Sequence, residues 1–481
     1  MLIPVGLAVV VFPTAMYDTR ELIAWGREFP LTTPYHPPLM AWVGGIVDRL
    51  AGTSAVAAIA AGQLLMALGI YYVWRVLRIV SSPTSAVFFT FLYATSTYIV
   101  FGPLSRALNA DVLQLTSWPA ILFYFFSAHR TNKLTQFMAL GFWSAIAFLT
   151  KYNALVLLAG LGVSMAVIPA YRAMFREWRL YAGVVIGLAL IAPHVVAAFN
   201  HVGPIEYGVA TLNSHSSLLM RLDYLANWIV GAFIGVFPGL LAVVFGWYTG
   251  VLRFDGGKDD VNRDARLALL VTTIAINVVV LGLILAAGLA FRFRYSPPYS
   301  MVAVLAVAPW VTWRADAGTW INGVVARSIG VFNLAIALVL IVVYTFFASH
   351  SGMQEPTKAA AAAILADWRS RYSCGPGYFF GVRQNVYGVG IEAGRDVTTL
   401  SGSDIAGASW FDPERWHRDG AVIIDTPEEA RNWQSTYQSG PSATAEASLA
   451  LPLRRTFLNK QYVYSYHFIA PHGCAARREA D

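Results

Sequence analysis

The sequence predicts a polytopic α-helical membrane protein, with about eleven spanning helices and a small α/β domain after residue 349. Three observations lead there. Of the 481 residues, 57% are hydrophobic and only 13% are charged, about half the charged share of a soluble globular chain. Apolar runs long enough to cross about 30 Å of hydrocarbon recur up to residue 348 and then stop. Beyond His350 the chain turns to an Ala-rich stretch and short β-prone runs. The net charge of +7 does not indicate a nucleic-acid binder, because the excess belongs to the membrane part. Residues 1–349 carry 21 Lys/Arg against 13 Asp/Glu, and residues 350–481 carry 13 against 14. Basic loop residues of a membrane protein set its orientation.

The spans read as roughly 1–16, 55–79, 85–101, 112–128, 134–150, 152–170, 180–199, 225–249, 267–290, 297–313 and 328–348. Alternate loops, from Arg75…Arg78 to Arg314…Arg327, hold 13 Lys/Arg and the opposite loops hold eight. The richer set belongs in the cytoplasm. The N-terminus then lies inside and residues 350–481 lie outside. Residues 37–47, PPLMAWVGGIV, are too short to cross and open on Pro37-Pro38, so they read as an interfacial helix of the outer leaflet. No internal repeat of the kind that builds secondary transporters is apparent.

In the last third of the chain, residues 361–372 read as a helix. The runs 378–382, 421–425 and 462–470 read as strands, and 427–434 as a short helix opened by Pro427. Both cysteines, Cys374 and Cys474, lie here. They form either a disulfide, as an oxidising compartment favours, or two small unpaired core residues. They do not have zinc-site spacing.

Charged and polar groups at the membrane boundary collect in the loops assigned to the outer face. They are Asp18, Arg20, Glu21 and His36 in the first, Arg106, Asn109 and Asp111 in the second, and Lys151 in a tight third turn. Asn213, His215, Arg221 and Asp223 follow in the fourth, and Arg292 and Arg294 in the fifth. Each has a plainer reading. Lys151, Arg292 and Arg294 snorkel to headgroups, Asp111 caps the following helix, and His36, His194 and His201 pack at an interface. Taken together they suggest one chemistry. A carboxylate acts as general base on a hydroxyl, and several cations neutralise a phosphate leaving group. A donor whose phosphate is tied to a lipid suits a site at the membrane surface, and no soluble nucleotide-binding motif is present.

The residues also carry a resemblance. Asp18 followed by Tyr35-His36-Pro37-Pro38-Leu39-Met40-Ala41-Trp42 resembles the signature of the protein-mannosyltransferase-like and rhizobial galacturonosyltransferase-like membrane glycosyltransferases. Asn109-Ala110-Asp111 looks like the family's second acidic loop, and Leu149-Thr150-Lys151-Tyr152-Asn153 like its Lys-containing turn. Arg294-Tyr295…Pro298 and Ser409-Trp410-Phe411-Asp412 resemble later family segments. The resemblance implies the C-type glycosyltransferase architecture. It makes Asp18 the catalytic carboxylate, supported by Asp111 and Glu21. Basic residues around the His36 and Lys151 positions would hold the lipid phosphate, and we add Arg106, His215, Arg221, Arg292 and Arg294 to that set. Thr19 stands where many relatives carry a second acid.

The expected protein is thus an inverting glycosyltransferase of the bacterial inner membrane. Its donor is a polyprenyl-phosphate-linked sugar, and its acceptor is an envelope glycolipid, polysaccharide or protein. No cofactor is assigned, and a divalent cation stays open. The alternatives are a lipid-linked-sugar transporter or flippase, and an inactive family member serving as a partner subunit. The topology is testable first: a periplasm-active reporter fused after residue 355 is expected to be active and one fused at 258 silent. The reverse pattern puts the proposed site on the wrong side of the membrane.

Overall fold

The computed structural model describes residues 14–96, 98–101, 107–201, 203–212, 216–237, 239–254, 263–313, 325–343, 355–424, 447–453 and 461–474, with isolated positions before 14 and at 323. Most of the first predicted span, 1–16, lies outside the described residues. Two helices open the described chain, α1 (Tyr17–Glu28) and α2 (Leu39–Ala51). A bundle follows: α3 (Ala55–Val80), α4 (Pro83–Ala94), α5 (Ala110–Thr131), α6 (Leu134–Thr150), α7 (Ala154–Val167), α8 (Trp178–Asn200), α9 (Leu218–Val236), α10 (Gly239–Tyr248), α11 (Arg263–Ala287), α12 (Pro297–Val307) and α13 (Ala326–Val342).

Local chemistry sets the helix ends. Ser54 and Ser82 cap α3 and α4 by accepting backbone N–H groups, and Pro83 occupies the first turn of α4. Asn132 closes α5 in the left-handed region at φ 47°. Four predicted spans differ from the structure: the expected span 85–101 leaves helix α4 after Ala94, and a proline stands at each of the other three breaks. The expected span 152–170 ends as a helix at Val167, and the chain bends by 105° into the next turn, because Pro169 holds Ile168 extended. The expected span 225–249 is divided between α9 and α10 on either side of Pro238. The expected span 297–313 is helical only to Val307, where a 3₁₀ turn through Pro309 leads into strand β2 (Val311–Trp313), paired antiparallel with β1 (Leu252–Phe254).

Among the described residues four helices (α3, α8, α9 and α11) are long and apolar enough to cross a membrane, and the bent α7 unit makes a fifth; four further apolar helices have 10–17 residues. Helix α8 exposes Val185, Val196 and Phe199, a continuous apolar side that water does not tolerate and lipid does. Helix α5 is the opposite case. It buries every residue from Asp111 to Phe123, including Gln114, Thr116 and Ser117. Its surroundings are other helices, so it affords polar groups that a lipid-facing helix excludes; Thr116 Oγ1 donates to Leu65 O of α3 at 2.6 Å.

Residues 37–47 do contribute a helix, α2, but its buried face (Met40, Ala41, Gly44, Gly45, Asp48) packs on α1. The two backbones touch. A Cβ on Gly26 would stand 2.0 Å from Ala41 O, and one on Gly45 2.1 Å from Gly26 O. Only Ile46 and Leu50 present large exposed apolar side chains from α2.

The C-terminal part is α/β as expected: α14 (Thr357–Arg371), β3 (Tyr378–Gly381), α15 (Arg383–Ala393), β4 (Thr398–Ser401), β5 (Ala421–Ile424), β6 (Ala447–Pro452) and β7 (Gln461–Ile469). The sheet order is β4-β3-β5-β7-β6, parallel through β4-β3-β5 and antiparallel through β5-β7-β6. Strands β3 and β5 are apolar throughout because both faces are covered. One face shares a core with α1 and α2 through Trp25, Met40, Ile364, Trp368 and Tyr387; the other packs on Phe411 and Trp416. The expected helix 427–434 and the expected boundary at 349/350 lie outside the described residues.

Cys374 and Cys474 are bonded, with Cα atoms 6.1 Å apart. Closing a loop over a separation of 100 residues is worth up to about 4.7 kcal/mol in the chain-entropy model. Cys374→Ser is therefore expected to destabilise this part by about 2–4 kcal/mol in denaturant unfolding. An unchanged midpoint would show that the sheet holds without the bond.

Candidate active site

The site is built where α1 meets the start of α5 and the α6–α7 turn. Helix α1 opens with Tyr17-Asp18-Thr19-Arg20-Glu21, and four neighbouring charges and hydroxyls go four ways. Thr19 Oγ1 accepts from Leu108 N at 3.4 Å, tying α1 to the loop before α5. Arg20 is 1% exposed. Its guanidinium donates to Ala15 O at 2.6 Å, to Thr14 Oγ1 at 2.6 Å and to Glu355 at 2.7 Å. Glu21 receives both arms of Arg383, at 2.5 and 2.6 Å. Burial pushes the Glu21 carboxyl up, to about 8, while Arg383 pulls it back. Asp18 is half-buried and makes no hydrogen bond or ion pair among the described residues.

The second carboxylate is supplied by α5. Asn109, not Asp111, caps that helix: its Oδ1 accepts from Asp111 N at 2.6 Å. With the capping role filled, the Asp111 carboxylate is available in the first turn, where the helix dipole favours negative charge. It takes Lys151 Nζ at 2.8 Å. Lys151 comes from a turn of three residues between α6 and α7, fixed by Lys151 N→Ala147 O and Ala154 N→Lys151 O. Its ammonium also lies 4.2 Å from the centre of the Tyr295 ring, a favourable placement for a partly desolvated cation. Below this pair, Asn153 exchanges amide hydrogen bonds with Gln114 and reaches the Tyr299 hydroxyl at 3.5 Å. His194 bridges the Tyr152 hydroxyl, at 2.9 Å, and Leu31 O, at 2.8 Å. That link ties α8 and the first loop to the same turn, and fits the structural role expected for His194.

The predicted residues divide accordingly. Asp111 and Lys151 are brought together as an ion pair, and Asp18 is linked to them only along the chain, by the hydrogen bond that ties neighbouring Thr19 to Leu108. Glu21 faces Arg383 of the C-terminal part. His36 lies beside Thr33, whose hydroxyl donates to His36 O at 2.6 Å. Arg221 is held elsewhere. It bonds Ser216 O at 3.2 Å and reaches the carbonyls of Leu285 and Ala286 at the end of α11, the place where a helix favours a cation. Arg292 is exposed. Arg106, His215 and the Arg294 side chain lie outside the described residues. Gln114, Tyr295 and Tyr299 were not anticipated as site residues; an amide inside an otherwise apolar helix was the available signal for Gln114. Among the described residues no group of three His, Cys, Asp or Glu side chains is gathered as for a metal ion.

Residues 35–196 match the family model of dolichyl-phosphate-mannose-protein mannosyltransferases. No curated protein matches the chain in sequence. Among solved structures, ArnT from Cupriavidus metallidurans bound to undecaprenyl phosphate superposes with a TM-score of 0.54 at 15% identity, covering 96% of each chain. Its apo form gives the same score and identity over 97% of this chain and 96% of that one. The chain thus has the C-type glycosyltransferase fold along nearly its whole length, and the match to the mannosyltransferase family model falls within it, on residues 35–196.

Proposed function

We propose that the protein is an inverting glycosyltransferase. It moves a sugar from a polyprenyl-phosphate donor to a hydroxyl of an envelope lipid, glycan or protein at the outer face of the inner membrane. The observation that carries the reading is Asp18, an acid in the first turn of α1 with no partner among the described residues, while Arg20 and Glu21 beside it are both paired. A carboxylate already neutralised by a guanidinium is a poor base; an unpaired one at a membrane boundary needs another reason to be there.

In this scheme Asp18 takes the proton of the acceptor hydroxyl as its oxygen attacks the anomeric carbon. The bond from that carbon to the phosphate oxygen breaks on the opposite face, and the lipid phosphate leaves as a stable anion. No general acid is required, so one carboxylate is enough. Lys151 meets the phosphate, oriented by Asp111 and the Tyr295 ring. Asp111 supports the site through Lys151, and His36, with Arg292 and Arg294, completes the donor side. Arg221, engaged at the end of α11, is left out of the donor set, and Glu21 supports Asp18 through its bond with Arg383.

Three results are expected. Asp18→Asn loses at least about a hundredfold in turnover, as removal of a positioned base does, while donor binding survives; near-normal turnover names the wrong acid. Lys151→Gln costs about 1.5–3 kcal/mol, roughly ten- to a hundredfold in donor use. The product carries the opposite anomeric configuration to the donor by NMR. Retention would overturn the single displacement, since a retaining path needs a nucleophile as well as an acid/base.

A further inference from the structure

The mechanism leaves one group of buried charges unused. Arg383, in the first turn of α15, touches both halves of the first loop. Its guanidinium holds Glu21 with two bonds at 2.5 and 2.6 Å, and lies 4.7 Å from the centre of the Tyr35 ring. The Tyr35 hydroxyl in turn donates to Asp404, which is fully buried and also accepts from Ser403 at 3.0 Å and from the Tyr387 hydroxyl. Trp25 of α1 donates to that same Tyr387 oxygen at 3.0 Å. Glu21 is one turn after Asp18, and Tyr35 immediately precedes His36. The two segments of the first loop are thus joined to each other through residues of the C-terminal part.

The contact is close as well as charged. A Cβ on Gly388 would stand 2.5 Å from Arg20 Nη1 and 2.8 Å from Thr357 Cγ2, so α15 lies directly on the buried Arg20–Glu355 pair. Isolated ion pairs on a surface are worth little. A two-armed guanidinium–carboxylate bond with one partner buried fixes direction as well as distance. A displacement of about 1 Å at a reacting group costs about a hundredfold in rate.

We propose that Arg383, with Asp404, is a positioning residue. It acts through Glu21 and Tyr35 to hold Asp18 and His36 at a fixed separation, so that the C-terminal part completes the transfer site. The inference rests on the transfer reading for its kinetic arm only. Arg383→Gln in the full-length protein is expected to lower kcat roughly tenfold to a hundredfold, with the donor KM nearly unchanged. Arg383→Lys, which keeps the charge and loses the fork, falls between the two. Hydrogen exchange supplies an arm that needs no turnover: Arg383→Gln speeds exchange in residues 14–21 and 33–38 and leaves 39–51 as they were. If Arg383→Gln does not fold, Tyr35→Phe, which removes only the hydroxyl that meets Asp404 and Ser403, is read in the same way. A folded Arg383→Gln with normal kcat, a rise in KM alone, or unchanged exchange in 14–21 and 33–38 overturns the proposal. If Asp18→Asn turns over normally, the carboxylate reading fails while the exchange arm still decides whether Arg383 holds the loop.

Discussion

Everything at the C-terminal end of the bundle depends on how α1 disposes of its charges. Arg20, Glu21 and Arg27 leave water when α1 packs on α2 and the sheet, and an ion that leaves water without a partner is expensive. Each is met: Arg20 by Glu355, Glu21 by Arg383, and Arg27 by Asp48. Two of the three partners belong to the C-terminal part. Its attachment is consequently not a matter of apolar contact alone. Removing one charge would strand another in a dry interface, which makes the register of α1 against α15 difficult to change.

The same economy explains the second acidic loop. Asp is a good helix cap, and Asp111 could have been consumed in that role. Asn109 takes it instead, and the carboxylate two residues on meets an ammonium whose turn is too short to let it wander. The ion pair alone is weak support for stability, because desolvation offsets much of the Coulomb gain. Its value is directional: it holds Lys151 between Asp111 and the Tyr295 ring.

Much of this was legible in the sequence for one physical reason. In a chain with so few charges, every ionisable residue near an apolar run carries a desolvation cost and so asks for an explanation. Asp18, Asp111 and Lys151 stood out in that way, and the strands 378–381, 421–424 and 461–469 were marked by β-branched and aromatic runs. Arg383, Glu355 and Asp404 did not stand out. They sit in the α/β part of the chain, where charges are more frequent, and the link from Arg383 to Glu21 spans 362 residues. Hydropathy also overran Pro309 and Pro169, since an apolar run registers transfer to lipid and not whether the backbone stays helical. Arg221 was read as a ligand for phosphate, and its bonds to carbonyls at the end of a neighbouring helix were not foreseen, since a distant helix end leaves no mark beside it in the sequence.

The distribution of charge along the helices bears on what kind of protein this is. A transporter of lipid-linked sugars needs ionisable groups where its substrate pauses, near the middle of the membrane. In the described helices the charges lie at the ends: Arg75 and Arg78 close α3, Arg179 opens α8, Arg263, Asp264 and Arg266 open α11, and Arg327 opens α13. Among the polar groups deeper in the bundle are neutral pairs between helices. Ser164 donates to Ala268 O at 2.9 Å and meets Thr272 Oγ1 at 2.8 Å, and Asn333 donates to Thr95 O at 3.1 Å. Such pairs join helices at little cost. Asp18 and Asp111 likewise stand in the first turns of their helices and Lys151 in a short turn, an arrangement that suits the proposed transfer at a helix-end site better than passage of a charged headgroup through the bundle.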